Sequence, residues 1–223
     1  VVGFGLIVIK GRSTEVDICL NFSGMLAPLV AVVPTTNVGN CWSVEPPAKP
    51  LNSDGTLATW VVANIDNNIR SLIFAGVLGI AAWIGAVALS KSQKGSGVGS
   101  PSPLLPLIGT VVFVGAVWSA FHWWGDFNDR AHGLAAVGLF IFLAAAVALN
   151  AWELRSVKEK RFFLVVYLLI FVAMLLAALP MAFSSWDHNV LIVEAVEIGL
   201  FGLFWFIQTI ELWHTTSAPQ GSP

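Results

Sequence analysis

From Phe162 to Trp186 the chain runs for 25 residues without a charged side chain. As a helix this stretch rises about 37 Å, enough to cross a hydrocarbon core of ~30 Å. Five further apolar stretches repeat the pattern, at 18–35, 71–90, 104–124, 133–153 and 190–213. They are continuous rather than alternating, so a strand reading fails. A helix satisfies its own backbone polar groups, and that is what lipid demands.

Composition agrees. Hydrophobic residues make up 57% of the 223 residues and charged residues 11%, too few charges to cover the outside of a soluble domain of this size. The same values exclude disorder. A net charge of −2 without a long basic block argues against nucleic acid as a partner.

The chain starts on the apolar run 1–9, closed by Lys10, Gly11 and Arg12. Nine helical residues rise only about 13 Å, so this run reads as the end of a helix whose beginning lies outside the sequence. Its basic residues follow the apolar run, unlike those of a signal peptide. The expectation is an all-α polytopic integral membrane helical bundle: one domain over 1–213 with seven spans, at 1–9 (truncated), 18–35, 71–90, 104–124, 133–153, 162–183 and 190–213. Pro28 and Pro34 predict a kink in the second span. The segment 36–69 is the long outer loop, with room for a short strand or helix. The segment 95–103 reads as a Gly/Ser/Pro linker, and 214–223 as a flexible cytoplasmic tail.

Basic residues set the orientation. Lys10, Arg12, Lys91, Lys94, Arg155, Lys158, Lys160 and Arg161 fall on one side, and only Lys49, Arg70 and Arg130 on the other. The richer side is expected in the cytoplasm, with the N-terminus outside and the C-terminus inside a cell membrane. Trp42, Trp60, Trp118, Trp123, Trp124 and Trp186 then gather near the outer boundary, and Trp152 and Trp213 near the inner one. Cys19 falls at an inner helix end and Cys41 outside, too far apart for a disulfide. The motif Asn21–Phe22–Ser23 lies within a span, so its match to a glycosylation acceptor is accidental.

The outer side collects acids and histidines. His122 ends one span, Asp126 follows, and the turn GDFNDRAHG carries Asp129, Arg130 and His132. The last hairpin adds Asp187 and His188, and Glu194 and Glu197 follow on one face of the last span. A carboxylate inside a span is costly and seeks partners, here Arg70, Arg130 or the histidines. Two readings compete. One is a structural network of salt bridges and hydrogen bonds that staples helix ends. The other is a pocket where His122, His132 and His188 bind a divalent metal such as zinc and Glu194 or Glu197 acts as general base, in a membrane-embedded metal-dependent hydrolase acting on outer-leaflet lipid. The first is preferred, because no HxxxH or HExxH spacing sets two ligands on one helix. Retinal would need a lysine in the last span, which has none. Haem would need two histidines at equal depth on facing helices, whereas His122 and His132 flank a short turn.

The segments GMLAPLVAVVPT, HWWGDFNDRAHGLAAVGLF and VEAVEIGLFGLFWFIQTIELW resemble a group of uncharacterised multi-span membrane proteins of actinobacteria over most of the chain, a group with no assigned activity. His132 with the small and aromatic residues after it, and Glu197 in the last span, are similar to the Frag1/DRAM/Sfk1 membrane family. The long outer loop departs from that pattern. This second resemblance implies lipid-linked, non-enzymatic roles. The expected function is a non-enzymatic membrane protein, either a lipid-binding component or an accessory subunit beside other membrane proteins, needing no cofactor.

Overall fold

The computed structural model describes residues 2–8, 11–34, 52, 56–93, 104–183 and 189–216. The protein is an all-α membrane bundle. Among the described residues its helices are α1 (Val2–Val8), α2 (Thr14–Val32), α3 (Thr59–Gln93), α4 (Leu104–Trp123), α5 (Phe127–Leu154), α6 (Arg161–Phe183) and α7 (Asn189–Thr216), with a 3₁₀ turn, Lys158–Lys160, leading into α6. Five of them are long and apolar enough to cross a membrane: α2, α3, α5, α6 and α7. The sixth, α4, is nearly as apolar over Leu107–Trp123.

Helix ends differ from the hydropathy boundaries wherever polar residues are helical. Helix α3 begins at Thr59, so the second half of the expected outer loop is one continuous helix with the span that follows. Its 35 residues extend about 52 Å, well beyond a bilayer core. Val61, Ile65 and Ile69 recur at helical spacing along this extension and are buried, which holds it in place. Helix α5 begins at Phe127 rather than at residue 133. Asp126 stands just ahead of its first residue and Asp129 lies in its first turn, where acidic groups favour the positive helix end. Asp129, Arg130 and His132 therefore sit on helix, not in a turn. At the other end of the chain α7 continues to Thr216, into the expected tail. The linker 95–103 and most of the outer loop lie outside the described residues.

The chain divides into two compact units. One holds Val1–Ala27, Asn37–Ser43 and Ala135–Pro223, and the other Pro28–Thr36 and Val44–Leu134. In the first unit the alanine-rich α5 packs closely on α2. Ser23 Oγ, fully buried, donates to the carbonyls of Cys19 at 3.0 Å and Leu139 at 3.2 Å, and the Phe22 and Phe142 rings stack at 5.2 Å. Gly24 lets α1 approach α2: a Cβ there would lie 2.6 Å from the Gly3 carbonyl oxygen. Tyr167, Ile170 and Met174 on α6 are buried, as is Phe204 on α7, whose ring meets Tyr167 edge to face at 5.1 Å. In the second unit α3 and α4 pack together, with Gly76 against Val114.

Candidate functional site

The expected outer cluster resolves into local pairs. His122, in the last turn of α4, donates from Nδ1 to the Trp118 carbonyl at 3.0 Å, and its ring lies 4.7 Å from that of Trp118. His132 donates from Nδ1 to the Val33 carbonyl at 2.7 Å, so it ties the start of α5 to the end of α2 by capping a carbonyl that the helix terminus leaves open. Arg130 pairs with Asp126 one turn before it at 3.5 Å, and Asp129 is exposed. Arg70 pairs with Asp66 at 2.8 Å and lies 6.0 Å over the Phe121 ring. Both arginines thus have a carboxylate partner four residues earlier in the chain. Cys19 is a free thiol; Cys41, Asp187 and His188 lie outside the described residues. Among the described residues no three His, Cys, Asp or Glu side chains are placed to hold a metal ion.

Glu194 and Glu197 belong to the first unit, on α7. Glu194 is half-buried and Glu197 is 2% exposed. The buried face of α7 continues through Phe204, Gln208 and Glu211, with alternating three- and four-residue steps from Phe204 onward. It is therefore a polar stripe at three levels inside an otherwise apolar helix.

The lowest level is the most developed site of the protein. The Glu211 side chain is fully buried and is met by three groups from three separate places in the chain, two of them hydrogen-bond donors and one an ion-pair partner. Lys160 Nζ, in the 3₁₀ turn, reaches Oε1 at 2.7 Å; Tyr167 Oη, on α6, donates to Oε2 at 2.7 Å; and Arg12 Nη2, just ahead of α2, lies 2.5 Å from Oε2. A buried carboxylate is tolerated only when its lost hydration is replaced, and two cations and a hydroxyl do so here. Tyr167 is the sole tyrosine of the chain. One turn deeper, Gln208 Nε2 donates to Asn150 Oδ1 at 2.8 Å, and Asn150 Nδ2 donates to the Ala146 carbonyl of its own helix at 2.8 Å.

The local fold delivers these groups. Ser13 precedes the first turn of α2, and the backbone N–H of Gly11 donates to the Asp17 carboxylate, which folds the 11–13 segment back on the helix and carries Arg12 inward. The 3₁₀ turn sorts the basic residues between α5 and α6. Lys160 points inward to Glu211, while Lys158 and Arg161 are exposed and Arg155 lies 3.6 Å over the Trp152 ring. Trp152, Phe162 and Trp213 are exposed around the same end, the positions at which aromatic rings mark a membrane boundary.

Hydropathy analysis does not reveal this site, although its signals are plain. Asn150, Gln208 and Glu211 interrupt apolar runs just as Glu194 and Glu197 do. Counting basic residues puts Arg12 and Lys160 on one side of the membrane, and the structure brings both to one carboxylate. The chain matches no protein-family model, no curated protein and no solved structure.

Proposed function

We propose that this is a non-enzymatic integral membrane protein that binds anionic lipid at its basic end, in the cytoplasmic leaflet of a cell membrane. One observation carries the reading: the turn between α5 and α6 divides its cations between two tasks. Lys160 joins Arg12 on the buried Glu211 and locks helices together, whereas Arg155, Lys158 and Arg161 stay exposed beside Trp152 and Phe162. An interfacial ring flanked by free guanidinium and ammonium groups is the chemistry that holds phosphate headgroups. Charge supports the same end. Counted along the sequence, eight of the eleven Lys and Arg residues are expected on this side of the membrane, against Glu15, Asp17, Glu153, Glu159 and Glu211, and the opposite side is expected to be acidic. Each headgroup contact contributes about 1 kcal/mol.

The test is retention of lipid by protein purified in mild detergent and weighed intact by native mass spectrometry. Wild-type protein should keep anionic phospholipid in preference to zwitterionic lipid. The triple variant R155Q/K158Q/R161Q, which leaves the Glu211 site whole, should lose about 3 kcal/mol and thus roughly a hundredfold in affinity. Equal retention by both proteins would refute the reading, and stoichiometric co-purification of another membrane protein without lipid would favour an accessory subunit instead.

A further inference from the structure

We infer that Glu197 is a proton-binding site inside the membrane: a carboxyl group that keeps its proton at neutral pH and is open to attack by lipophilic carbodiimides. The argument starts from what surrounds it. Glu197 is 2% exposed, and among the described residues its Oε2 has no hydrogen-bond partner. An unpaired carboxylate is among the costliest groups to bury in an apolar medium, and the ordinary escape is to take up a proton.

Position within the unit removes the other escape, pairing with a cation. Among the described residues every Lys and Arg of the first unit lies at the Glu211 end: Arg12, Arg155, Lys158, Lys160 and Arg161; Lys10 lies outside the described residues. Glu211 is fourteen residues further along α7, so this end is about 21 Å away. Helix α6 packs along α7, and its residues 162–183 include no Asp, Glu, Lys, Arg or His. The parts of α2 and α5 in this unit have only Glu15 and Asp17, in the first turn of α2, and Glu153, in the last turn of α5. On α7 itself the nearest ionisable group is Glu194, one turn earlier, a second acid that brings no positive charge. Arg70 and Arg130 of the other unit pair with Asp66 and Asp126. Asp187 and His188, ahead of α7, lie outside the described residues. Glu211 on the same helix is the built-in contrast, an equally buried carboxylate with two cations and a hydroxyl on its oxygens.

The reagent that distinguishes the two states is dicyclohexylcarbodiimide, which enters membranes and reacts with carboxylic acids that retain their proton. The acid O–H adds across one C=N bond: the proton goes to nitrogen, the carboxyl oxygen bonds to the central carbon, and no group leaves. The O-acylisourea then rearranges to a stable N-acylurea of the same mass. The full chain in detergent or vesicles is treated and its peptides are mapped by mass spectrometry. Label is expected on Glu197 and not on Glu211, declining as pH is raised. E197Q should abolish it, and E197D should retain it. Should either variant misfold, infrared spectra of the wild type in water and heavy water provide a second reading, since a protonated carboxyl has a C=O stretch distinct from that of a carboxylate. Absence of label on Glu197, label on Glu211 instead, or an infrared spectrum without a protonated carboxyl band would each overturn the inference.

Discussion

Replacing Tyr167 by Phe tests the Glu211 site with the smallest perturbation the structure offers, one oxygen atom. Its hydroxyl donates to Glu211 Oε2 at 2.7 Å with both groups buried. A hydrogen bond to a charged group contributes about 1.5–3 kcal/mol. Arg12 and Lys160 remain on the carboxylate, so the lower figure applies and Tyr167→Phe should cost about 1.5 kcal/mol. Glu211→Leu removes the shared acceptor and strands two cations. Breaking a buried pair costs about 3–5 kcal/mol, and again the lower figure applies, because Arg12 and Lys160 keep 18% and 23% of their side chains exposed and can extend toward headgroups. Once Glu211 is gone the hydroxyl has lost its acceptor, so Tyr167→Phe should add little. The double-mutant cycle should then return a coupling near ~1.5 kcal/mol. Unfolding in mixed micelles, followed by the fluorescence of the ten tryptophans, measures all four corners. A coupling within the additivity error of about 0.3–0.5 kcal/mol would refute the contact.

Further outcomes follow from the same coordinates. Asn150→Leu or Gln208→Leu alone should lower stability by about 1–3 kcal/mol by orphaning the other amide, whereas the double replacement should recover most of the loss in the same unfolding assay. Gly24→Ala should cost about 1–3 kcal/mol, because its Cβ would meet the Gly3 carbonyl oxygen and the Ile7 side chain, whereas Gly79→Ala, with open space around it, should be tolerated in a thermal melt. His132→Ala should cost about 1 kcal/mol through the lost cap on Val33, and a melt unchanged from wild type would deny the cap any weight. On intact cells an impermeant thiol reagent should label Cys41 and spare Cys19, the reverse pattern contradicting the orientation that the basic residues predict.

Some of this architecture is legible in the sequence because lipid imposes one rule on the whole chain. The run 162–183 coincides with α6, and 104–124 with α4 to within a residue. The rule ends where the lipid does. Residues 59–70 are polar enough to read as loop, yet Val61, Ile65 and Ile69 fall one turn apart and make them helix. Asp126 and Asp129 favour an earlier start for α5 than hydropathy alone indicates. Burial and partnership are harder to read. Glu194, Glu197 and Glu211 all look like misplaced charges on one apolar helix. What distinguishes Glu211 is that Arg12, far away along the chain, is brought to it by the fold. Arg130 and Asp126, by contrast, are a pair that one-turn spacing alone foretells.

The account depends most on the claim that the exposed cations between α5 and α6 face anionic headgroups while their neighbours are committed to Glu211. Extracting the protein together with its surrounding lipid, using a membrane-solubilising copolymer and no detergent, tests this most directly. The phospholipids carried along are then quantified against those of the parent membrane. The account predicts enrichment of anionic lipid that persists in a Glu197→Gln protein and falls to the bulk ratio in R155Q/K158Q/R161Q. A wild-type lipid composition identical to that of the bulk membrane would contradict it.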